Sequence, residues 1–151
     1  MNRGNNELNN NIKKNEIKVG DEIPPYKVRI DAKVYKKYNR LINEINPLHF
    51  NRNYAQKLGF RDIVVAGNFT FMFIPKWLLE WAGDIKSLKK VSVKFNNPVY
   101  LGDELIHTGK ITSVEVEGNK KIVDGKYSVN KTSGELVSEG EFTFNFNLAP
   151  I

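Results

Sequence analysis

Large apolar side chains recur at spacings of three and four between residues 31 and 46, at Val34, Tyr35, Tyr38, Leu41, Ile42 and Ile45. This spacing predicts an amphipathic helix. Asp31 is a suitable N-cap, and the helix is expected to stop near Ile45 because the residue before Pro47 is disfavoured in the helical conformation. A short extended piece at residues 26–30 precedes it. A short helix at about residues 53–58 follows and ends at Gly59.

The middle of the chain is apolar with no polar face. A brief apolar stretch at residues 63–66 is followed by an almost wholly apolar run at residues 69–81. A helix that is hydrophobic on all sides is a buried helix. Pro75 should kink or split this one, because proline removes a helical hydrogen bond and crowds the preceding turn.

Polar and apolar residues alternate through residues 89–148, and turn signals interrupt the pattern at residues 101–103, 117–119 and 132–134. Such a pattern predicts antiparallel strands. The four segments are VSVKF, ELIHTGKITSVEV, KKIVDGKYSVNK and ELVSEGEFTFNFNL. One buried helix followed by a long meander indicates an α+β fold in which an antiparallel sheet wraps around the helix.

The first sixteen residues contain seven asparagines and few large aliphatic side chains, which predicts a disordered tail. Residues 17–151 are expected to form a single domain, with an apolar fraction of 40% for the whole chain. The absence of cysteine excludes disulfides, thiolate zinc sites and cysteine nucleophiles. No apolar run approaches the roughly 20 residues of a membrane span, and no signal-peptide pattern is present. A cytoplasmic location is therefore expected.

The chain is basic, with 23 Lys and Arg against 17 Asp and Glu and a formal net charge of +6. The lysines are scattered and accompany no Arg-rich helix or aromatic RNA-binding signature, so most are interpreted as solvated surface and nucleic-acid binding is not expected. A mild positive field still favours a phosphate-bearing ligand or an acidic carrier protein.

The segment NEINPLHFN at residues 43–51 is the first candidate for chemistry. On a regular helix Glu44 and His49 would lie about 140° apart, but a bend at Pro47 would bring them together. A carboxylate beside an imidazole is the minimum for general acid–base chemistry on one water, and Asn46 could fix either partner. A local cap or ion pair is the alternative interpretation of the same spacing.

Gly67 is the second candidate, because free N–H groups at the start of a buried helix suit a developing oxyanion. Tight packing around a glycine is the alternative. Asn68 is a further substrate-binding candidate, with helix capping as its alternative. His107 is interpreted as an ordinary strand residue. Two distant histidines give no metal signature, and no phosphate loop, serine elbow or dinucleotide fingerprint occurs.

Four features that occur in order along the chain resemble the MaoC-like, (R)-specific enoyl-thioester hydratases and dehydratases. They are Asn-Pro-Leu-His at residues 46–49, Ala55-x-x-x-Gly59-Phe60, the buried helix and VSVKFNNPVYLGDEL. The resemblance covers most of residues 20–148. It implies a hot-dog fold, usually paired with a second copy or a related chain as a homodimer or heterodimer. It also implies an acyl thioester substrate on coenzyme A or acyl carrier protein, with no metal or redox cofactor.

The resemblance assigns His49 and Glu44 as the catalytic pair, Asn46 as the family asparagine and Gly67 as the donor to the thioester carbonyl. Three positions depart from the family pattern: Glu44 replaces an aspartate, Asn43 a glycine and Ala66 a frequent histidine. The apolar helix face at Phe69, Phe71, Met72 and Phe73 is expected either to border the acyl chain or, more simply, to be core.

Two other functions remain open from the sequence. The substitution at Glu44 favours a non-catalytic, chain-binding subunit of a heteromeric dehydratase. Thioester hydrolysis would need a carboxylate on or near the central helix, and only Glu80 is available there, beyond Pro75.

Overall fold

The computed structural model describes residues 13–148 of the chain. Its helices are α1 (Ala32–Leu41), α2 (Arg52–Lys57), α3 (Gly67–Phe71) and α4 (Phe73–Ala82), with 3₁₀ turns at Lys14–Glu16 and Pro47–His49. Its strands are β1 (Glu22–Arg29), β2 (Leu88–Val91), β3 (Lys94–Phe95), β4 (Glu104–Glu117), β5 (Lys120–Lys131) and β6 (Leu136–Asn147). The strands form one sheet in the order β1-β4-β5-β6-β2, and β3 also pairs with β6.

The long strands confirm the predicted meander. β4, β5 and β6 coincide almost residue for residue with three of the alternating segments, and every strand pair is antiparallel. The fourth segment, VSVKF at residues 91–95, is not one strand: β2 begins earlier, at Leu88, and ends at Val91, and Lys94–Phe95 form β3. On β6 the inward positions are Phe142, Phe144 and Phe146, which are buried one after another with single outward residues between them. This period of two gives the sheet one apolar face.

The predicted central helix is present and is split at Met72 into α3 and α4. Pro75 explains the split, because it has no N–H to donate to the carbonyl of Phe71. The helix packs into the sheet through its aromatic side chains. Trp77 donates its indole N–H to the carbonyl of Pro24, and the Trp81 and Phe144 rings lie 5.4 Å apart.

Part of the predicted tail has a defined structure. Residues 1–12 lie outside the described residues, but Lys14–Glu16 form a turn that β5 holds in place. The ammonium of Lys121 is buried and donates to the carbonyls of Lys14 and Ile17, at 2.7 and 2.8 Å. Burial lowers the pKa of Lys121. Local composition could not reveal this anchor, because its donor lies more than 100 residues away.

Within residues 13–148, no helix combines the length and the apolar character that a membrane crossing requires.

Candidate functional site

The C-terminus of α1 sets the position of the candidate loop. The predicted cap at the other end is confirmed, since the Asp31 carboxylate accepts from the Val34 N–H at 2.9 Å. The helix ends at Leu41, however, and not near Ile45. Asn43 adopts the left-handed conformation with φ of 52°, and the Glu44 N–H turns back to the carbonyl of Asn39 at 3.0 Å. This is a Schellman-type ending.

The Schellman ending accounts for Asn43, where the family pattern has glycine. A positive φ favours glycine, and asparagine is among the few other residues that tolerate it. The ending also corrects the predicted cause of the bend. Asn43 terminates the helix several residues before Pro47 can act, so Glu44 lies beyond the helix and not in its last turn.

Pro47 instead begins a new turn, Pro47–His49, and Asn46 is its cap. The Asn46 side-chain oxygen accepts from the Leu48 N–H at 3.1 Å. The Glu44 carboxylate accepts from the Asn46 N–H at 3.0 Å. Both side chains therefore shape the backbone that leads to His49.

The His49 ring has one nitrogen fixed and one available. Nδ1 lies 2.8 Å from the carbonyl oxygen of Val64, which can only accept, so Nδ1 carries the hydrogen. In the neutral ring Nε2 then holds a lone pair. Nε2 has no hydrogen-bond partner within residues 13–148 and is not among their sealed polar atoms. His49 is thus arranged to accept a proton from a small molecule.

Both backbone groups of Val64 form hydrogen bonds to the loop that carries His49. The Val64 N–H donates to the carbonyl of Leu48 at 3.1 Å, so the His49 turn and residue 64 run side by side. Nearby, the Arg52 guanidinium makes two bonds to Asp62, at 3.1 and 3.0 Å. These bonds lower the pKa of Asp62 and raise that of Arg52. The acceptor for His49 therefore belongs to a tethered segment.

Tyr35 is a site residue that the sequence indicated only as part of the apolar stripe of α1. Its side chain is fully buried on α1. The hydroxyl donates to the carbonyl of His49 at 3.0 Å and accepts from the N–H of Ala66 at 3.0 Å. One buried oxygen thereby joins the histidine turn to the residue before Gly67. Burial raises the pKa of Tyr35, which keeps the hydroxyl protonated.

Gly67 is the first residue of α3. Within residues 13–148 its N–H has no protein acceptor, as expected for the first turn of a helix. A β-carbon on Gly67 would lie 2.9 Å from the ring of Phe95, a β3 residue that is 51% exposed. Glycine at this position lets the aromatic ring lie against the backbone.

His49 and Gly67 line one cavity of about 340 Å³, which is within the usual range for small-ligand sites. Most of its wall is apolar, contributed by Phe60, Val64, Val65, Phe95, Pro98, Val99 and Val137. The backbone carbonyl of Leu136 accepts from the Asn97 amide at 2.7 Å, and both Asn96 and Asn97 also line the cavity. The VKFNNPV segment gave no sequence signal for these two amides beyond its place in the quoted motif.

Other predicted residues do not reach this cavity. Glu44 lines a neighbouring concavity of about 430 Å³ with Lys36, Asn39, Arg40, Asn43 and Phe50. Asn68 is exposed. Phe69 is core, since its ring packs against those of Tyr35 and Phe73. Phe71, Phe73 and Met72 do not line the cavity either.

Two further expectations concern chemistry elsewhere. Glu80 is exposed and pairs with Lys76 at 2.7 Å, so the one carboxylate available for a hydrolase interpretation points into solvent.

His107 lies in β4 as predicted and is fully buried between the rings of Tyr26 and Trp77. Its burial lowers its pKa to about 4. Residues 13–148 contain no group of His, Asp and Glu suited to hold a metal ion.

Residues 13–136 match the family model described as MaoC like domain. The chain is 31% identical over 130 residues to a protein of Solanum lycopersicum named as a mitochondrial 3-hydroxyacyl-[acyl-carrier-protein] dehydratase, covering 85% of this chain and 77% of that protein. It is 30% identical over 129 residues to an (R)-specific enoyl-CoA hydratase of Rhodospirillum rubrum, covering 85% and 87%. The predicted cytoplasmic location stays a prediction, since the tomato relative is named mitochondrial.

Solved structures confirm the predicted hot-dog fold. The (R)-hydratase of A. caviae superposes with a TM-score of 0.73 at 21% identity and covers 89% of this chain and 98% of its own. The HadBC (3R-hydroxyacyl-ACP dehydratase) complex of Mycobacterium tuberculosis contains a chain with a TM-score of 0.69 at 22% identity, covering 85% and 96%.

Proposed function

Because the chain belongs to the MaoC-like dehydratase family, we propose that it interconverts trans-2-enoyl and (R)-3-hydroxyacyl thioesters by adding and removing water. The observation that carries this proposal is the shared cavity. It brings together, in one largely apolar cavity, an imidazole with a free lone pair and a backbone N–H that has no acceptor among residues 13–148.

In the direction of hydration, the thioester carbonyl accepts from the Gly67 N–H. This contact draws electron density from the β-carbon and stabilises the negative charge that develops on the carbonyl oxygen. A water oxygen adds to the β-carbon while its proton passes to His49 Nε2. A proton is then delivered to the α-carbon, so that one water is added across the double bond. Elimination follows the same steps in reverse, and the thioester itself acidifies the α-position.

Glu44 is proposed as the second acid–base group, and the geometry sets a condition on that role. Its carboxylate now accepts from the Asn46 N–H and faces the concavity beside α1. To act on the water that His49 holds, the carboxylate has to reach the His49 cavity, which it does not line. Asn46 is proposed to support substrate binding through the turn that it caps. Asn68, which is exposed and follows Gly67 in the chain, is proposed as a further substrate-binding residue.

A second function has a specific observation in its favour. The separation of Glu44 from the His49 cavity is what a chain-binding subunit of a heteromeric dehydratase would tolerate. A chain of the HadBC dehydratase complex has the same fold, which supports a heteromeric partner for this chain. A homodimer is the simpler proposal, and in either case a second subunit would cover the exposed ring of Phe95 beside Gly67.

The test is hydration of crotonyl-CoA by the purified protein and by two Glu44 variants. If Glu44 is an acid–base group, Glu44→Gln lowers kcat by about 100-fold or more, whereas Glu44→Asp keeps activity within a few-fold of the wild type or raises it. Asn46→Ala, which removes the neighbouring cap but no carboxylate, is the matched control for disturbance of the loop.

Equal activity of Glu44→Gln and the wild type would show that Glu44 only shapes the loop. A wild-type protein with no activity on its own, yet with saturable binding of crotonyl-CoA, would replace the hydratase proposal with the chain-binding one.

A further inference from the structure

Helix α1 carries an unusual density of positive charge beside the candidate site. Lys33, Lys36, Lys37 and Arg40 lie within its ten residues, and no acid occurs between Asp31 and Glu44. Within residues 13–148 none of the four forms an ion pair, although eight ion pairs occur elsewhere. The macrodipole would favour cations only in the last turn of the helix, so it does not account for Lys33 and Lys36.

Exposed apolar side chains concentrate in the same region. The described residues include 12 large hydrophobic side chains that are exposed, and seven of them lie between residues 34 and 58. Leu41 is 74% exposed and Ile45 is 88% exposed. Lysines alone would be an ordinary solvated face, but bare leucine and isoleucine beside them indicate a surface that another molecule covers.

The helical spacing arranges these residues into two adjacent stripes. Lys33, Lys37 and Arg40 are four and three residues apart and form one ridge, opposite the buried Tyr35. Val34 and Leu41 are seven residues apart and line the edge of that ridge. We call Lys33, Lys37, Arg40, Val34, Leu41 and Ile45 the basic–apolar surface. It adjoins the concavity that contains Glu44, and Tyr35 and Asn39 on the same helix bond to the carbonyl of His49.

We propose that the basic–apolar surface docks an acidic acyl carrier protein, so that the protein takes its thioester substrate from a carrier rather than from free coenzyme A. This inference rests on the proposed function. Charge complementarity selects an acidic partner. The exposed apolar side chains select a macromolecule, because the phosphates of coenzyme A would engage cations and leave Leu41 and Ile45 in water.

A second copy of this chain fits the surface poorly. Two-fold pairing would set the cations of one α1 against the same cations of another, and like charges that face each other in an interface disfavour association. The whole chain also carries a net charge of +6, which adds a general repulsion between two copies.

The test compares one acyl group on two carriers. Crotonyl groups are supplied as crotonyl-CoA and as crotonyl thioester on an acidic acyl carrier protein, and hydration is measured with the wild type and with Lys33→Glu/Lys37→Glu. The expected result is a loss of at least tenfold in kcat/KM for the carrier substrate, through KM, with less than twofold change for crotonyl-CoA. Raising the salt concentration should weaken the wild-type reaction with the carrier in the same selective way.

Lys89→Glu/Lys90→Glu on β2 is the matched control. It makes the same change in net charge, from +6 to +2, at exposed lysines that lie on a strand and not on α1. Leu41→Ala tests the apolar component and should raise KM for the carrier substrate several-fold without changing the charge.

Three outcomes would overturn the inference: no loss in the α1 double variant, equal losses with both substrates, or an equal loss in the β2 control. A change of subunit mass in the α1 variant would overturn it too, by identifying the surface as a subunit interface. Failure of the proposed function is distinguished by a direct titration of the acyl carrier protein. His49→Ala should bind the carrier as the wild type does while turning over neither substrate.

Discussion

His49 and His107 each direct Nδ1 at a backbone carbonyl oxygen, of Val64 at 2.8 Å and of Tyr26 at 3.1 Å. Their surroundings are opposite. His49 is half-buried in a turn and lines a cavity, whereas His107 is fully buried in a strand and its Nε2 has no hydrogen-bond partner among residues 13–148. A fixed tautomer therefore does not by itself make a histidine chemically useful. The free nitrogen must also be accessible to a small molecule.

The largest effect on turnover is expected from removing each histidine in turn. His49→Ala should lower kcat for crotonyl-CoA hydration by roughly 10²–10⁴-fold, the usual contribution of a general acid–base group, with the fold intact by circular dichroism. His107→Leu, which fills the buried site with an apolar side chain, should retain activity within a few-fold. Retention of most of the rate by His49→Ala would remove His49 from the mechanism.

A smaller effect is expected where the supports of His49 are changed but its ring is kept. Tyr35→Phe removes the hydroxyl that joins the His49 carbonyl to the Ala66 N–H. Loss of this bridge should lower kcat by about tenfold to 100-fold through misplacement of the two halves of the site. It should also lower the unfolding free energy by about 1–3 kcal/mol, because the Ala66 N–H is left buried without an acceptor.

A purely structural role for Tyr35 predicts something else: unfolding at lower denaturant concentration with kcat unchanged in the folded protein. Tyr38→Phe is a matched control on the same helix, since the Tyr38 ring also packs against Phe69 but its hydroxyl makes no bond to the site within residues 13–148. Chemical denaturation and steady-state kinetics on the same samples separate the two roles.

The smallest effect on turnover, but a clear one on stability, comes from the pH response of His107. Burial lowers its pKa in the folded protein from 6.5 to about 4. Between these values the unfolded chain binds a proton that the folded chain does not, so stability is full above pH 6.5 and falls as the pH drops toward 4. The difference corresponds to roughly 3 kcal/mol in the unfolding free energy.

Denaturant unfolding at several pH values between 7 and 4 measures this loss. Carboxylates also contribute to the loss of stability at acidic pH. The informative quantity is therefore the unfolding free energy of the wild type minus that of His107→Leu, which should fall as the pH is lowered from 7 to 4. Parallel curves for the two proteins across that range would show that His107 does not govern acid sensitivity.

Much of the fold was predictable because its signals are local. The period of two at residues 104–147 matches β4, β5 and β6, and the apolar run with Pro75 matches a buried helix split at Met72. The Asp31 cap was predictable for the same reason. The end of α1 was not predictable in this way. Pro47 indicated an end near Ile45, but Asn43, which tolerates the left-handed conformation, ends the helix at Leu41.

The candidate site was also predictable only in part from the sequence. The motif pointed to His49 and Gly67, and the structure brings them to one cavity. It did not point to Tyr35, Val64, Asn96 or Asn97, because a core tyrosine, a backbone carbonyl and two loop amides have no distinctive spacing in sequence.

The elements, their order and the residue types able to perform acid–base chemistry follow from the sequence, since periodicity, capping and proline act within a few residues. Which of those residues share a cavity depends on the tertiary fold. His49 and Gly67 meet because Tyr35 and Val64 hold them from elsewhere in the chain, whereas Glu44, five residues from His49, faces another concavity. Side-chain direction depends on long-range packing and backbone turns, and sequence distance does not encode it.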